Sequence, residues 1–207
     1  MNRFQKKTQV MLIIDLILII ILLAFYRACF IDFHREKVSL SKNVSPIASD
    51  SATKYQTVFD QNYFYSLSKD IDNAKNRIDI AMYVLDSVDR RESKPGTLIS
   101  KLLSASNRGV SVYVIMDKKS AGLESEASIK YNQIAYDMLT AGGCRVEWSA
   151  IPGMHAKVVS IDDNIAYIGA HNWTQAALEH NQELSIRIEG ELVRKVREWI
   201  EKIQVES

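Results

Sequence analysis

Hydrophobic positions follow two regimes along this chain. Residues 10–26 are nearly unbroken: sixteen of the seventeen are apolar or aromatic, and Asp15 is the exception. At about 1.5 Å of rise per residue, this is close to the shortest helix that crosses a hydrocarbon core. A globular helix of that length keeps a polar face, which this one lacks. Further on, the pattern alternates between helical and strand periods. Residues 57–74 carry Val58, Phe59, Tyr63, Leu67, Ile71 and Ala74 at three- and four-residue steps and predict a helix. Residues 78–84 predict a buried strand, and 97–108 a helix with Leu98, Leu102 and Leu103 inward, ended by Gly109. A strand at 110–116, a helix at 128–140 closed by Gly142-Gly143, and a strand at 144–148 follow. Residues 156–161 and 165–168 predict a hairpin around the turn Asp162-Asp163-Asn164. A strand at 183–188 and an amphipathic helix at 191–203 complete the pattern. Such alternation predicts an α/β fold, a mixed β-sheet flanked by helices, with Tyr63, Tyr65, Trp148 and Cys144 in its core.

Domain limits follow from these shifts. Residues 1–9 form a basic N-terminal segment, 10–26 a transmembrane anchor or signal segment, and 27–54 a polar linker containing Pro46. Residues 55–205 then make one α/β domain, long enough to bury a core. The long apolar run, with no small-x-small site after it, favours an uncleaved anchor over a cleaved signal. Arg3, Lys6 and Lys7 ahead of it predict a cytoplasmic N-terminus and an exported domain, secreted if the segment is cleaved.

Charge separates the same two parts. Residues 1–37 hold six Lys/Arg against three Asp/Glu, and the rest twenty against twenty-two. A slightly acidic domain has no general attraction for nucleic acid, so any such contact must be local. The two cysteines, Cys29 and Cys144, make no disulfide framework. No zinc-ligand spacing, glycine-rich phosphate loop or dinucleotide fingerprint is present.

The candidate chemistry lies in the hairpin. His155 and Lys157 are two apart at its entry, so a strand puts them on one side. Gly169 and Asn172 follow its exit. An imidazole can attack phosphorus or move a proton, while an ammonium and an amide hold phosphoryl oxygens.

His155-x-Lys157-x4-Asp162, six further residues, then Gly169-x-x-Asn172 resemble the HKD signature of the phospholipase D superfamily. Asn172-Trp173-Thr174 and Glu183 also match positions the family uses. The likeness covers about residues 58–203 and is to the small single-motif members: bacterial endonucleases and phospholipases, and the mitochondrial cardiolipin hydrolase group. One departure is Ala170, where the family usually has Ser. The resemblance implies phosphodiester hydrolysis through a phosphohistidine on His155, with Lys157 and Asn172 on the phosphoryl oxygens and no metal or cofactor. It also implies a homodimer, because a single motif supplies one of the two histidines the chemistry uses. Glu183 is expected to orient His155 by accepting its hydrogen bond. Asp162, part of the signature, sits in a turn that suits a structural role as readily as a catalytic one. Two basic clusters, Arg90-Arg91 and Lys118-Lys119, follow successive strands and are candidates for substrate contact. His171 and His180 read as surface residues. The resemblance implies nucleic acid as the expected substrate, because compact single-motif bacterial relatives are often nucleases, with membrane phospholipid as the alternative. A catalytically weak dimeric binding module is a second alternative.

Overall fold

The computed structural model describes residues 53–86, 93–118, 125–151 and 153–206. The predicted 10–26 segment and the basic residues Arg90, Arg91 and Lys119 lie outside them. Among the described residues, no helix is long and apolar enough to cross a membrane.

The described strands are β1 (Lys54–Phe59), β2 (Arg77–Met82), β3 (Ser111–Met116), β4 (Arg145–Trp148), β5 (Lys157–Ile161), β6 (Ile165–Gly169) and β7 (Leu184–Glu189). They join in one sheet of order β1-β7-β6-β5-β2-β3-β4. β2, β3 and β4 run parallel, and β5, β6, β7 and β1 continue antiparallel, so the sheet is mixed as expected. Helices α1 (Gln61–Asn73), α2 (Lys94–Asn107) and α3 (Ser125–Ala141) return the chain between the first strands; α4 (Gln175–Glu179) and α5 (Leu192–Glu201) flank β7.

Each helix buries the stripe its spacing dictates. α1 turns Tyr63, Leu67 and Ile71 inward, and α2 turns Leu98, Ile99, Leu102 and Ala105. The Ser93 hydroxyl accepts from the Gly96 N–H at 3.1 Å and caps α2 just ahead of Pro95. These side chains meet Ile78, Ile80, Met82, Val112, Val114 and Val159 in the main core. α5 covers the other face of the sheet, where Ile200 packs with Ala81, Ile115, Met154 and Val158.

Two expectations fail for reasons of phase. Residues 57–59, predicted as the start of a helix, belong to β1. Val58 and Phe59 fall in step with Tyr63 only by coincidence of spacing. Asp60, at φ 47°, turns the chain between strand and helix, and its N–H donates to the Glu183 carbonyl. Phe59 is therefore exposed rather than inward. Tyr65, expected in the core, is 59% exposed, because two positions on from Tyr63 it points away from the buried stripe. Tyr63 and Cys144 are buried as expected, and Trp148 is half-buried against Tyr136.

The hairpin turn is of the type that suits twisted strands. Asp162 and Asp163 both have positive φ, and Asn164 N–H donates to the Ile161 carbonyl. The Asp162 carboxylate accepts from the backbone N–H groups of Lys75 and Asn76 at 2.7 Å and of Arg77 at 3.0 Å. It thereby ties the loop before β2 to the hairpin. Asp162→Ala leaves those donors without the carboxylate, and the expected cost is about 2–4 kcal/mol of stability in a denaturant titration.

Candidate active site

Lys157 opens β5 and pairs with Met82, the last residue of β2. Gly169 closes β6 opposite Ser185, and Glu183 immediately precedes β7. The strand ends thus gather His155, Lys157, Asn172 and Glu183 at one end of the sheet. Asp162 lies at the other end of β5, roughly 20 Å away at about 3.3 Å per residue. Its place in the site is therefore corrected: it is a structural clamp remote from His155.

His155 is exposed and Lys157 buried, 8% accessible. The Lys157 ammonium lies 3.1 Å from Nδ1 and 3.2 Å from Nε2 of His155, within reach of the lone pair of either nitrogen, and donates to the His155 carbonyl at 3.0 Å. Burial pulls the Lys157 pKa down to about 8, and the nearby Glu183 carboxylate opposes that shift. An imidazole nitrogen with an ammonium beside it is an arrangement that can attack a phosphoryl group and meet its charge.

Asn172 has its side-chain oxygen buried with no hydrogen-bond partner among the described residues. A carboxamide can turn over to present either its oxygen or its N–H groups, so this position fits a polar substrate group. Its loop is held tightly. Gly169 lies flat against β7: a Cβ there would stand 2.2 Å from Ser185 Oγ and 2.4 Å from its Cα, which only glycine avoids.

Glu183 differs from expectation. Its carboxylate accepts from the Asn181 side-chain N–H at 3.1 Å and makes no hydrogen bond with His155. Its backbone N–H donates to the Asp60 carboxylate at 2.9 Å, which fixes it at the mouth of the site. From there it acts on Lys157 through its charge.

His171 is also corrected: it is fully buried, not a surface residue. Its ring stacks on Tyr63 with centroids 4.2 Å apart. Nε2 lies 3.1 Å from the Asp60 carbonyl, which can only accept, so Nε2 carries the hydrogen. Nδ1 then accepts from the Ser185 hydroxyl at 2.7 Å, and burial lowers the ring's pKa, favouring this neutral form. With both nitrogens engaged, His171 is a prop for the loop and not a spare acid. His180 is exposed as expected. Lys118 stands at the end of β3 on the same side of the sheet, but its ammonium donates to Glu206 at 2.6 Å.

Three polar residues escaped the sequence reading, of which Asp117 and Asn132 are buried and Asp60 is exposed. Asp117 accepts from the N–H groups of Gly153 and Met154 at 3.0 and 3.1 Å and so sets the approach to His155. Asn132 accepts from Leu85 N–H and donates to the Tyr83 and Asp117 carbonyls, each at 2.8 Å. Asp60 anchors Glu183 and His171. A lone polar residue within an apolar helical stripe, as Asn132 is in α3, was the available signal.

An apolar groove of about 470 Å³ opens beside His155, walled by Ile151, Met154, Ala156, Trp199 and Ile203, with Lys202 among its lining. On the same face of the sheet Ile168, Leu184, Ile186 and Phe59 are all exposed. Register places Phe59 beside Leu184 and Ile168 beside Ile186, so they form one apolar patch at the catalytic end.

Comparison with known proteins agrees with this arrangement. The family described as "Cardiolipin synthase, PLD-like domain" matches residues 67–204. The minor cardiolipin synthase ClsB of Bacillus subtilis (strain 168) is 31% identical over 123 residues, covering 58% of this chain and 28% of that protein, so the chain spans under a third of that relative. Nuc of Salmonella typhimurium, a phospholipase D family member, superposes with a TM-score of 0.61 at 21% identity, covering 74% of this chain and 97% of Nuc. NucT of Helicobacter pylori gives 0.59 at 22% identity, covering 73% of this chain and 95% of its own. With the His155–Lys157 pair at the mouth of a mixed sheet of this order, the chain belongs to the phospholipase D superfamily.

Proposed function

We propose that this protein hydrolyses the phosphodiester of a phospholipid through a covalent phosphohistidine on His155, working as a two-fold dimer. The contact between the Lys157 ammonium and both nitrogens of His155 carries the chemical part of this reading. An imidazole nitrogen of His155 attacks phosphorus, and the bond from phosphorus to the leaving oxygen breaks. Lys157 and Asn172 hold the non-bridging oxygens as charge shifts onto them. The leaving oxygen takes its proton from the partner subunit's His155. That imidazole then removes a proton from water, whose oxygen attacks phosphorus and expels His155 unchanged.

The dimer is inferred from the single motif, which supplies one of the two histidines the chemistry uses, while His171 is buried with both ring nitrogens engaged. The apolar patch of Phe59, Ile168, Leu184 and Ile186 adjoins Gly169 and Glu183, so a second copy seated there places its own strand ends near the first site.

The apolar groove beside His155 supports phospholipid over the nucleic acid expected from the resemblance to small single-motif nucleases. The headgroup alcohol departs while the acyl-bearing group stays on phosphorus in the covalent intermediate, and aliphatic walls beside His155 suit its chains. Lys118, a candidate phosphate contact for nucleic acid, is already paired with Glu206. The likeness to cardiolipin synthases supports the same substrate. Incubating the protein with phosphatidyl vesicles, single- and double-stranded DNA, and RNA tests this. Release of phosphatidic acid is expected; cleavage of nucleic acid alone returns the reading to a nuclease, and silence on all of them favours a binding module.

Because Lys157 must be protonated to hold phosphoryl oxygens, its lowered pKa limits activity at high pH. The expected kcat/KM falls as pH rises through about 8, with the loss complete roughly two units higher. A profile flat to pH 10 would separate catalysis from the Lys157 charge.

A further inference from the structure

The segment that joins the two arms of the site is Tyr83 to Asp86, at the end of β2. The Tyr83 N–H donates to the Ala156 carbonyl at 2.8 Å, between His155 and Lys157. Trp173 N–H donates to the Val84 carbonyl at 3.0 Å, and Asp86 N–H to the Trp173 carbonyl at 2.8 Å, directly after Asn172. From beneath, the buried Asn132 side chain clasps the Tyr83 carbonyl and the Leu85 N–H. The backbone of Tyr83 is thus fixed from three sides, and its side chain is 9% accessible.

That fixed ring touches both reacting side chains. Its centroid lies 4.3 Å from that of the His155 imidazole, with the planes tilted by 53°. The Lys157 Nζ stands over the ring, 4.8 Å from its centroid. The Tyr83 hydroxyl makes no hydrogen bond among the described residues, so the ring carries the contact. We propose that Tyr83 is a positioning residue of this site: its ring sets the His155 imidazole on one side and holds the Lys157 ammonium over its face on the other. This rests on the His155–Lys157 chemistry proposed above.

The physical reason is that Lys157 is enclosed where few groups favour its charge. Among the described residues, Glu183, just before β7, is the carboxylate whose charge acts on it, and His155 faces it from the segment leading into β5. An aromatic face supplies a second source of negative potential beside a largely buried ammonium.

The test reads Lys157 directly, so that it holds whatever substrate the enzyme takes. Lysine labelled with 13C is titrated by NMR in wild type, in Tyr83→Phe, and in proteins carrying phenylalanines of increasing fluorination at position 83. Fluorine weakens the ring's negative face while keeping its shape, so packing and folding are retained. The Lys157 titration is expected to stay in place in Y83F and to move stepwise to lower pH with fluorination, by about one unit in total. In Tyr83→Leu, kcat on a cleavable phosphodiester should fall on the order of tenfold or more with KM little changed. A Lys157 titration unmoved across the fluorinated series overturns the proposal, as does Y83F that is as impaired as Y83L. Failure of every substrate with the titration shifting as expected would count against the proposed reaction and not against the role of Tyr83.

Discussion

His155→Ala is expected to lower turnover by on the order of 10⁴-fold, to the background left by binding alone. The basis is that the covalent step has no substitute nucleophile. Lys157 is protonated below about pH 8 and points its hydrogens at the imidazole; His171 has both nitrogens engaged. The variant should fold as the wild type does, because His155 is exposed and contributes little to the core. Rapid acid-free quenching of wild type with labelled substrate should leave the phosphatidyl group on His155 through an acid-labile P–N bond, while the variant retains none. Turnover in H155A within tenfold of wild type would remove the phosphohistidine from the mechanism.

The second large effect concerns the partner copy. Ile168→Glu or Ile186→Glu puts a charge in the middle of the exposed patch while leaving the folded monomer's core untouched. Each should give a folded monomer, seen by sedimentation, whose activity is down by roughly two orders of magnitude or more, since the leaving oxygen then lacks its proton donor. Mixing sharpens the point. When H155A and wild-type chains are unfolded, combined in equal amounts and refolded, about a quarter of the dimers hold both histidines, whereas independent subunits keep about half the sites. Activity tracking the half, or a monomer with full activity, would require the acid to come from within one chain.

Much of this could be read from the chain because strands enforce alternation. The two-residue spacing of His155 and Lys157 at the entry to β5 does bring them together, and the Asp162-Asp163 turn carried its own chemistry of residues that tolerate positive φ. The helix stripes of α1 and α2 were legible through their spacing. What failed depended on partners distant in sequence. His171 looks like a loop histidine until Tyr63 and Ser185 close on it from other elements. β1 shows almost no alternation because it is an edge strand with one buried residue, Val58. Asp162 was legible as a member of a signature but not in its task, since the three N–H groups it satisfies belong to a loop more than eighty residues earlier. Tyr83 gave a weaker sign: an aromatic at the close of a buried strand whose end rims the site.

The pairing of β1 with β7 sets the order in which the molecule can be completed. Asp60 and Glu183 are 123 positions apart, and the carboxylate that acts on Lys157 is fixed only when they meet. The first described strand has no neighbour until nearly the last has been made, so the sheet closes late during synthesis. Contacts of such long range slow folding, because the loop must be closed before any reward is collected. Until then β7 is an open edge and the charge beside the active lysine is not held in place. Catalytic competence therefore arrives with the final step of folding, and a chain halted before residue 184 is expected to be inert rather than partly active.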